Sequence, residues 1–308
     1  MRITSQSRHA KPWDAGTSDE DGGSAAGDRS RPPRPRSLHR YGQNHLVDAN
    51  ILRAIVEQAA VRADDVVLEV GAADGQLTRP LLAHAHLVHA FEIDHRYSAR
   101  LERLAAEHEN LRPHAGDALK YDLTTLAPPP TALVANLAYN IAIPLIMTSI
   151  VRLPSVTRWS VMVQKELGDR LFAKPSTKAY SAVSVLAQIA CILEKVRPVP
   201  PAAFRPQPRV DSSFVSFRRR AAARGEAALT LAEYIAMDKL VRPAFAQRRK
   251  VLTNTLPGVA RADVPLTRED VRAALEAFGL APAARPEELS PSQWVAFARR
   301  LDWLPERS

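Results

Sequence analysis

The chain has 308 residues, a formal net charge of +9, 46% apolar and 24% charged residues, and one cysteine. This length accommodates one α/β domain plus a smaller second domain, and the composition is that of a soluble globular protein. The positive excess favours a polyanionic partner, nucleic acid ahead of a membrane surface, and a lone Cys191 excludes an intrachain disulfide and suits a reducing cytoplasm.

Residues 1–39 are rich in Gly, Ser, Asp, Pro and Arg and carry almost no large apolar side chains. Such a segment cannot bury enough surface to offset its ordering entropy, so a disordered extension is expected there. It holds no apolar core of a signal peptide. Its run Arg29-Ser30-Arg31-Pro32-Pro33-Arg34-Pro35-Arg36 holds only positive charge and reads as a solvated tail more than an RNA-grazing arm.

Order is expected from Tyr41. Asp48 can cap a helix whose apolar positions Ile51, Leu52, Ile55, Val56 and Ala59 have helical spacing. Strand-like and helical segments then alternate. Val66–Val70 is a strand that opens onto Gly71-Ala72-Ala73-Asp74-Gly75 and a helix through Leu77, Leu81 and Leu82. Leu87–Ile93 is a second strand, Tyr97–Glu107 a helix, Leu111–Ala115 a third strand and Thr131–Ala135 a fourth. Thr131–Val151 holds no charge, but Asn136, Asn140 and Pro144 mark a buried strand and helix within it, not a membrane span. Trp159–Val163 makes a fifth strand, with a helix over Lys165–Leu171. The apolar run Val183–Val196 contains a sixth strand and Ser213–Phe217 is the seventh. This alternation predicts right-handed crossovers and a mainly parallel sheet, ending in an antiparallel hairpin.

Ala221–Ala228 reads as a linker, which leaves an α/β domain over residues 40–220 and an all-helical one over 229–308. In the latter, a helix runs from Leu231 through Phe245. Thr267 with Asp270 forms a capping box for a helix stopped at Gly279, and Ser290, Pro291 and Gln293 open a closing helix through Trp294, Phe297 and Leu301. No residues have metal-ligand spacing.

The chemistry concentrates at strand ends. Gly71 and Gly75 make a tight turn that lets a ligand approach the backbone. Glu92 stands about 20 residues on, where such folds place an acid against a ribose diol. A dinucleotide fingerprint requires glycine where Ala73 stands, and Asp74 would repel a pyrophosphate. The charge sign therefore favours the cationic S-adenosylmethionine over NAD, with Asp117 after the third strand available to the adenine amino group. At the fourth strand's end, Asn136 Oδ1 and the Leu137 carbonyl can accept the two N–H groups of an exocyclic amine while Tyr139 covers the base face. Those two bonds draw the amine toward tetrahedral geometry and free its lone pair for in-line attack, so positioning and electrostatics carry the rate. The base must leave its stack to arrive there, and Phe204 can supply a second stacking face or serve as a core aromatic. Arg242, Arg248, Arg249 and Lys250 form a basic helix face suited to phosphates.

Gly42-Gln43-Asn44-His45-Leu46, Glu69-Val70-Gly71, Phe91-Glu92-Ile93-Asp94, Gly116-Asp117-Ala118, Asn136-Leu137-Ala138-Tyr139-Asn140, Val163-Gln164-Lys165-Glu166 and the Pro206-to-Ser212 stretch resemble the ribosomal RNA adenine N6-dimethyltransferases. The resemblance covers about Arg40 to Leu301. Phe245-Ala246-Gln247-Arg248-Arg249-Lys250 is similar to the Phe-x-Gln-Arg-Arg-Lys of the branch, called KsgA, that modifies small-subunit RNA. The resemblance implies a Rossmann-like, seven-stranded class I methyltransferase fold with a smaller C-terminal helical domain. It also implies S-adenosylmethionine contacts at Asn44, Leu46, Gly71, Glu92, Asp117 and Asn136. The implied substrate is two adjacent adenosines in the 3′-terminal hairpin of 16S RNA, each dimethylated on a small-subunit precursor by a cytoplasmic monomer. Ala138 stands where the family usually has Pro, Ala72-Ala73-Asp74 replaces the middle of a Gly-Pro-Gly-x-Gly loop, and the N-terminal extension is atypical. An Erm-type enzyme acting on 23S RNA and a non-catalytic ribosome-assembly factor are the alternatives.

Overall fold

The structure, a computed structural model, describes residues 44–221, 229–261 and 264–304. The expected disordered extension and most of the expected linker thus lie outside the described residues.

Seven strands form one sheet: β1 (Val66–Val70), β2 (Leu87–Glu92), β3 (Leu111–Ala115), β4 (Ala132–Asn136), β5 (Arg158–Gln164), β6 (Cys191–Val199) and β7 (Ser212–Arg219). Their order across the sheet is β3-β2-β1-β4-β5-β7-β6. The first five pair in parallel, and β7 runs antiparallel between β5 and β6. The central strands are buried on both faces and read as continuous apolar runs, as two-sided parallel sheets must. The chain leaves β1 toward one edge and returns to β4 on its other side. That reversal opens a crevice at the carboxyl ends of β1 and β4.

Helices α1 (Ala49–Ala59), α2 (Thr78–Leu82), α3 (His95–Glu107), α4 (Tyr139–Arg152), α5 (Lys165–Leu171) and α6 (Ala182–Ala190) flank the sheet. Asp48 caps α1 as expected, accepting the N–H groups of Asn50 and Ile51 at 2.8 and 3.0 Å. The run expected to hold the sixth strand begins instead as α6. Ser181 and Ser184 cap that helix reciprocally, and its Val185, Leu186 and Ala187 are fully buried. The strand starts only at Cys191, which is buried.

Two features fix α4, the helix that follows the crevice. Trp159 donates its indole N–H to Ser149 Oγ at 2.8 Å. The half-buried Arg219 guanidinium donates to the carbonyls of Ile150, Leu153 and Val156 at 2.9–3.1 Å, closing the helix's carbonyl end with a cation. With its far end held, α4 presents Tyr139 at its first turn.

The tail comprises α7 (Leu231–Ala246), α8 (Leu252–Thr255), α9 (Arg268–Glu276) and α10 (Pro291–Arg300), but it is not all-helical as expected: Ala260–Arg261 pairs antiparallel with Val264–Pro265 between α8 and α9. The capping boxes at Thr267 and Ser290 form as expected, and Gly279 takes φ +66° just past α9. Trp294 and Phe297 are fully buried. Tyr234 of α7 donates its hydroxyl to the Leu186 carbonyl of α6, joining tail and sheet layer.

Candidate active site

Gly71 takes φ +82°, and a Cβ there would approach the Asn136 carbonyl to 3.3 Å. The glycine is therefore required twice, by its backbone conformation and by the close approach of the β1 turn to the end of β4. The N–H groups of Gly71 and Ala72 both donate to the Phe91 carbonyl, at 2.9 and 3.1 Å, and tie the turn to β2. Ala73 occupies the left-handed region at φ +49°, at the position where the resembling family has glycine. An alanine there costs on the order of 1 kcal/mol.

Glu92 is 3% exposed, and each of its carboxylate oxygens receives one backbone N–H, from Ala73 and Asp94, both at 2.8 Å. Burial raises its pKa, and those two N–H groups partly oppose the rise. The Gly116 N–H donates to the Glu92 carbonyl at 2.7 Å, so the Asp117 turn sits at the end of the neighbouring strand. Asp117 Oδ1 accepts the Leu119 N–H at 3.0 Å and the residue is partly exposed.

Asn136 is oriented from one side. Its Nδ2 donates to the Asn44 carbonyl at 3.1 Å, and no described residue donates to Oδ1. The amide thus spends its donor on the protein and keeps its acceptor. Leu137 is anchored by its N–H to the Met162 carbonyl at 3.2 Å, with its side chain buried. The Tyr139 hydroxyl lies 3.0 Å from Ser212 Oγ at the start of β7. Ala138 between them has φ −60° and ψ 138°, values that proline also adopts.

A two-residue antiparallel ladder, His45–Leu46 with Phe204–Arg205, roofs the crevice and carries Asn44 into place. Leu46 lines the pocket together with His45, Glu69, Gly71, Asp74 and Asn136. Phe204 is 1% exposed and packs within the core cluster that holds Leu46, Ala203 and Phe214. Its ring offers no open face in this arrangement, and a stacking role would need the ladder to open.

Glu69 emerges from the structure rather than from spacing. It is 1% exposed, lines the pocket floor, and its Oε2 has no hydrogen-bond partner among the described residues. Burial raises its pKa to about 8; the Thr78 hydroxyl beside it opposes the rise and the Glu92 charge adds to it. The buried Thr78 hydroxyl is the neutral group beside this carboxyl, and a cation in the pocket would supply a charged partner.

The four basic tail residues do not share one helix face. α7 stops at Ala246, where Gln247 leaves the helical region with φ −124° and ψ 56°, and the Lys250 N–H closes a turn on the Gln247 carbonyl. Arg242 alone is helical, and it pairs with Asp238 one turn away. Arg248 lies in the turn and points inward: it pairs with Glu287 and donates to the carbonyls of Lys178 and Thr177. Arg249 and Lys250 are exposed.

A sheet of this order, with a glycine turn, two acids and an amide–tyrosine pair at its carboxyl edge, defines a class I methyltransferase, the class whose methyl donor is S-adenosylmethionine. The pocket suits that donor: the Gly71 turn leaves backbone room, and the buried Glu69 carboxyl on its wall has no cationic partner among the described residues. The profile of the family described as ribosomal RNA adenine dimethylase matches residues 36–299. The chain belongs to that family. It is 42% identical over 271 residues to the ribosomal RNA small subunit methyltransferase A of Rubrobacter xylanophilus, covering 88% of this chain and 97% of that one. Against the protein of the same name from Chromobacterium violaceum it is 40% identical, covering 85% and 94%. A dimethyladenosine transferase from Plasmodium falciparum superposes with a TM-score of 0.70 at 25% identity, covering 83% of this chain and 97% of that one. The 23S rRNA methyltransferase ErmE superposes with a TM-score of 0.61 at 28% identity, covering 84% and 100%.

Proposed function

We propose that this protein transfers methyl groups from S-adenosylmethionine to N6 of two adjacent adenosines in the 3′-terminal hairpin of 16S ribosomal RNA, dimethylating each. It acts as a cytoplasmic monomer on a small-subunit precursor, with residues 40–220 as the methyltransferase domain and 229–308 as the RNA-contacting domain. The small-subunit assignment is supported by relatives named small subunit methyltransferase A at 37–42% identity.

The single observation that carries the reading is the orientation of Asn136. Because Nδ2 is committed to the Asn44 carbonyl, Oδ1 is held toward the site as an acceptor. Together with the Leu137 carbonyl it can accept both N–H groups of an exocyclic amine, pulling the lone pair out of conjugation with the ring. Tyr139, held by Ser212, covers the base face. The bound donor supplies an electrophilic methyl group on a sulfonium. Glu92 and Asp117 would hold its ribose and adenine, Asn44, Leu46 and Gly71 its remaining length, and Glu69 would balance its positive charge. The reaction needs no covalent intermediate and no dedicated base, since the site's contribution is orientation and charge.

Two experiments test this. Purified protein with tritiated donor should label undermethylated small-subunit particles, and Asn136→Ala should abolish the label while leaving donor affinity within a few fold. The ErmE superposition keeps one second reading in play, and exclusive labelling of naked large-subunit RNA would establish it. Failure to bind the donor in a calorimetric titration would instead mark a non-catalytic assembly factor.

A further inference from the structure

We infer that the loop 205–210, exposed at every residue but Pro208, is a phosphate-contacting rim, through which Arg205 and Arg209 grip the RNA strand on either side of the adenosine being modified. This inference rests on the proposed function and extends it to a surface outside the pocket. Both ends of the loop are fastened to groups that build the site. At its start, Arg205 pairs with His45 in the two-residue ladder, one residue from the Asn44 carbonyl that orients Asn136. At its finish, Ser212 Oγ lies 3.0 Å from the Tyr139 hydroxyl, and the Asp211 carbonyl accepts the Lys165 N–H at 2.9 Å. The loop thus borders the groups proposed to hold the base, which puts it within reach of the strand that carries that base.

The loop's chemistry suits a phosphodiester backbone. Arg205 and Arg209 are exposed, and no described carboxylate pairs with either. Arg205 Nη1 donates to the Phe204 and Ala202 carbonyls at 2.9 and 3.3 Å, which leaves the Nε and Nη2 hydrogens available to a phosphate. Pro206 and Pro208 restrict the backbone between them, so the two cations are presented at lower entropic cost than on a flexible loop. Lys165 beside the loop is spoken for by Asp169 at 2.6 Å and does not compete for the same phosphates. Arginine at such a rim fixes the register of the strand and reads no sequence, leaving base choice to Asn136 and Leu137.

The test is a salt titration of RNA binding by the full chain, using undermethylated small-subunit particles. In the Arg205→Ala/Arg209→Ala protein, the slope of log affinity against log salt should become shallower by about 1.4, since each phosphate contact on a single strand contributes about 0.7. Affinity at moderate salt should fall about tenfold, with donor affinity and thermal midpoint unchanged. The Arg205→Lys/Arg209→Lys protein should keep most of the slope. If the double alanine protein binds with the wild-type slope while the wild type methylates the particles, the rim assignment is wrong and the site reading stands. If the wild type transfers no methyl group to RNA, the site reading fails and the rim falls with it.

Discussion

Glu69 offers a quantitative test of how the pocket recognises its donor. In the free protein burial holds its pKa at about 8, so at pH 7 about nine molecules in ten carry it protonated. A cation bound beside Oε2 stabilises the ionised form, and donor binding then expels that proton. Affinity should therefore rise about tenfold from pH 6 to pH 7, equivalent to about 1.4 kcal/mol, and level off only above pH 8. Calorimetry in two buffers of different ionisation enthalpy reads the proton directly, with nearly one released per donor bound at pH 7. Glu69→Gln should bind more weakly at pH 7.5 and show no such rise. The free protein carries the opposite dependence. A carboxyl whose folded pKa is raised binds a proton that the unfolded chain has lost, so stability falls as pH climbs from the usual carboxyl range toward 8, and Glu69→Gln removes that fall. Donor affinity that is flat between pH 6 and 7 in the wild type, with no proton release, would refute the pairing of Glu69 with the donor's charge.

Arg248→Ala breaks the pair with Glu287 and leaves the Lys178 and Thr177 carbonyls without their donor. Discounted for partial exposure, the loss is about 2 kcal/mol, so thermal scanning should show a midpoint lower by about 4–8 °C. Arg249→Ala should leave that midpoint alone and make the salt slope of RNA binding shallower by about 0.7 to 0.9; an equally stable Arg248→Ala protein would contradict the inward placement of that side chain. Ala138→Pro should stabilise the fold by about 0.5 kcal/mol, because φ −60° already fits proline and no described residue accepts the Ala138 N–H. Chemical denaturation checks it, and a destabilised variant would show that the Leu137–Tyr139 bend differs from the one described.

The parts of the site visible in the sequence are those whose meaning is local. A glycine after an apolar strand, an acid at the end of the next and an amide at the end of the fourth all keep their roles whatever packs around them, because strand ends in a parallel sheet converge on one edge. Cap signals are equally local, and Asp48, Thr267 and Ser290 sit where their spacing put them. What stayed hidden depends on partners distant in the chain. Arg248 looks like a phosphate ligand until Glu287, 39 residues on, and the Lys178 carbonyl, 70 residues back, are seen against it. Arg219 caps a helix ending more than sixty residues earlier. Val183–Ala190 has the apolar density of a buried strand, and the Ser181–Ser184 cap that makes it a helix was obscured by the β-branched residues beside it.

The distribution of charge follows from the same division. A net charge of +9 would draw phosphate-bearing ligands into any open pocket, yet the pocket is lined by Glu69 and Asp74, the latter 3.9 Å from Arg100 outside it, with no described arginine or lysine on its wall. A pyrophosphate cofactor would meet two acids on the pocket wall, while a sulfonium donor meets none of its own sign. The cations stand outside, on loop 205–210 and at Arg249 and Lys250, where a polyanion can reach them without entering. Exchanging Asp74 for lysine would therefore be expected to weaken donor binding and to leave RNA affinity nearly unchanged, because the acid wall sorts the small ligand and the exposed cations sort the large one.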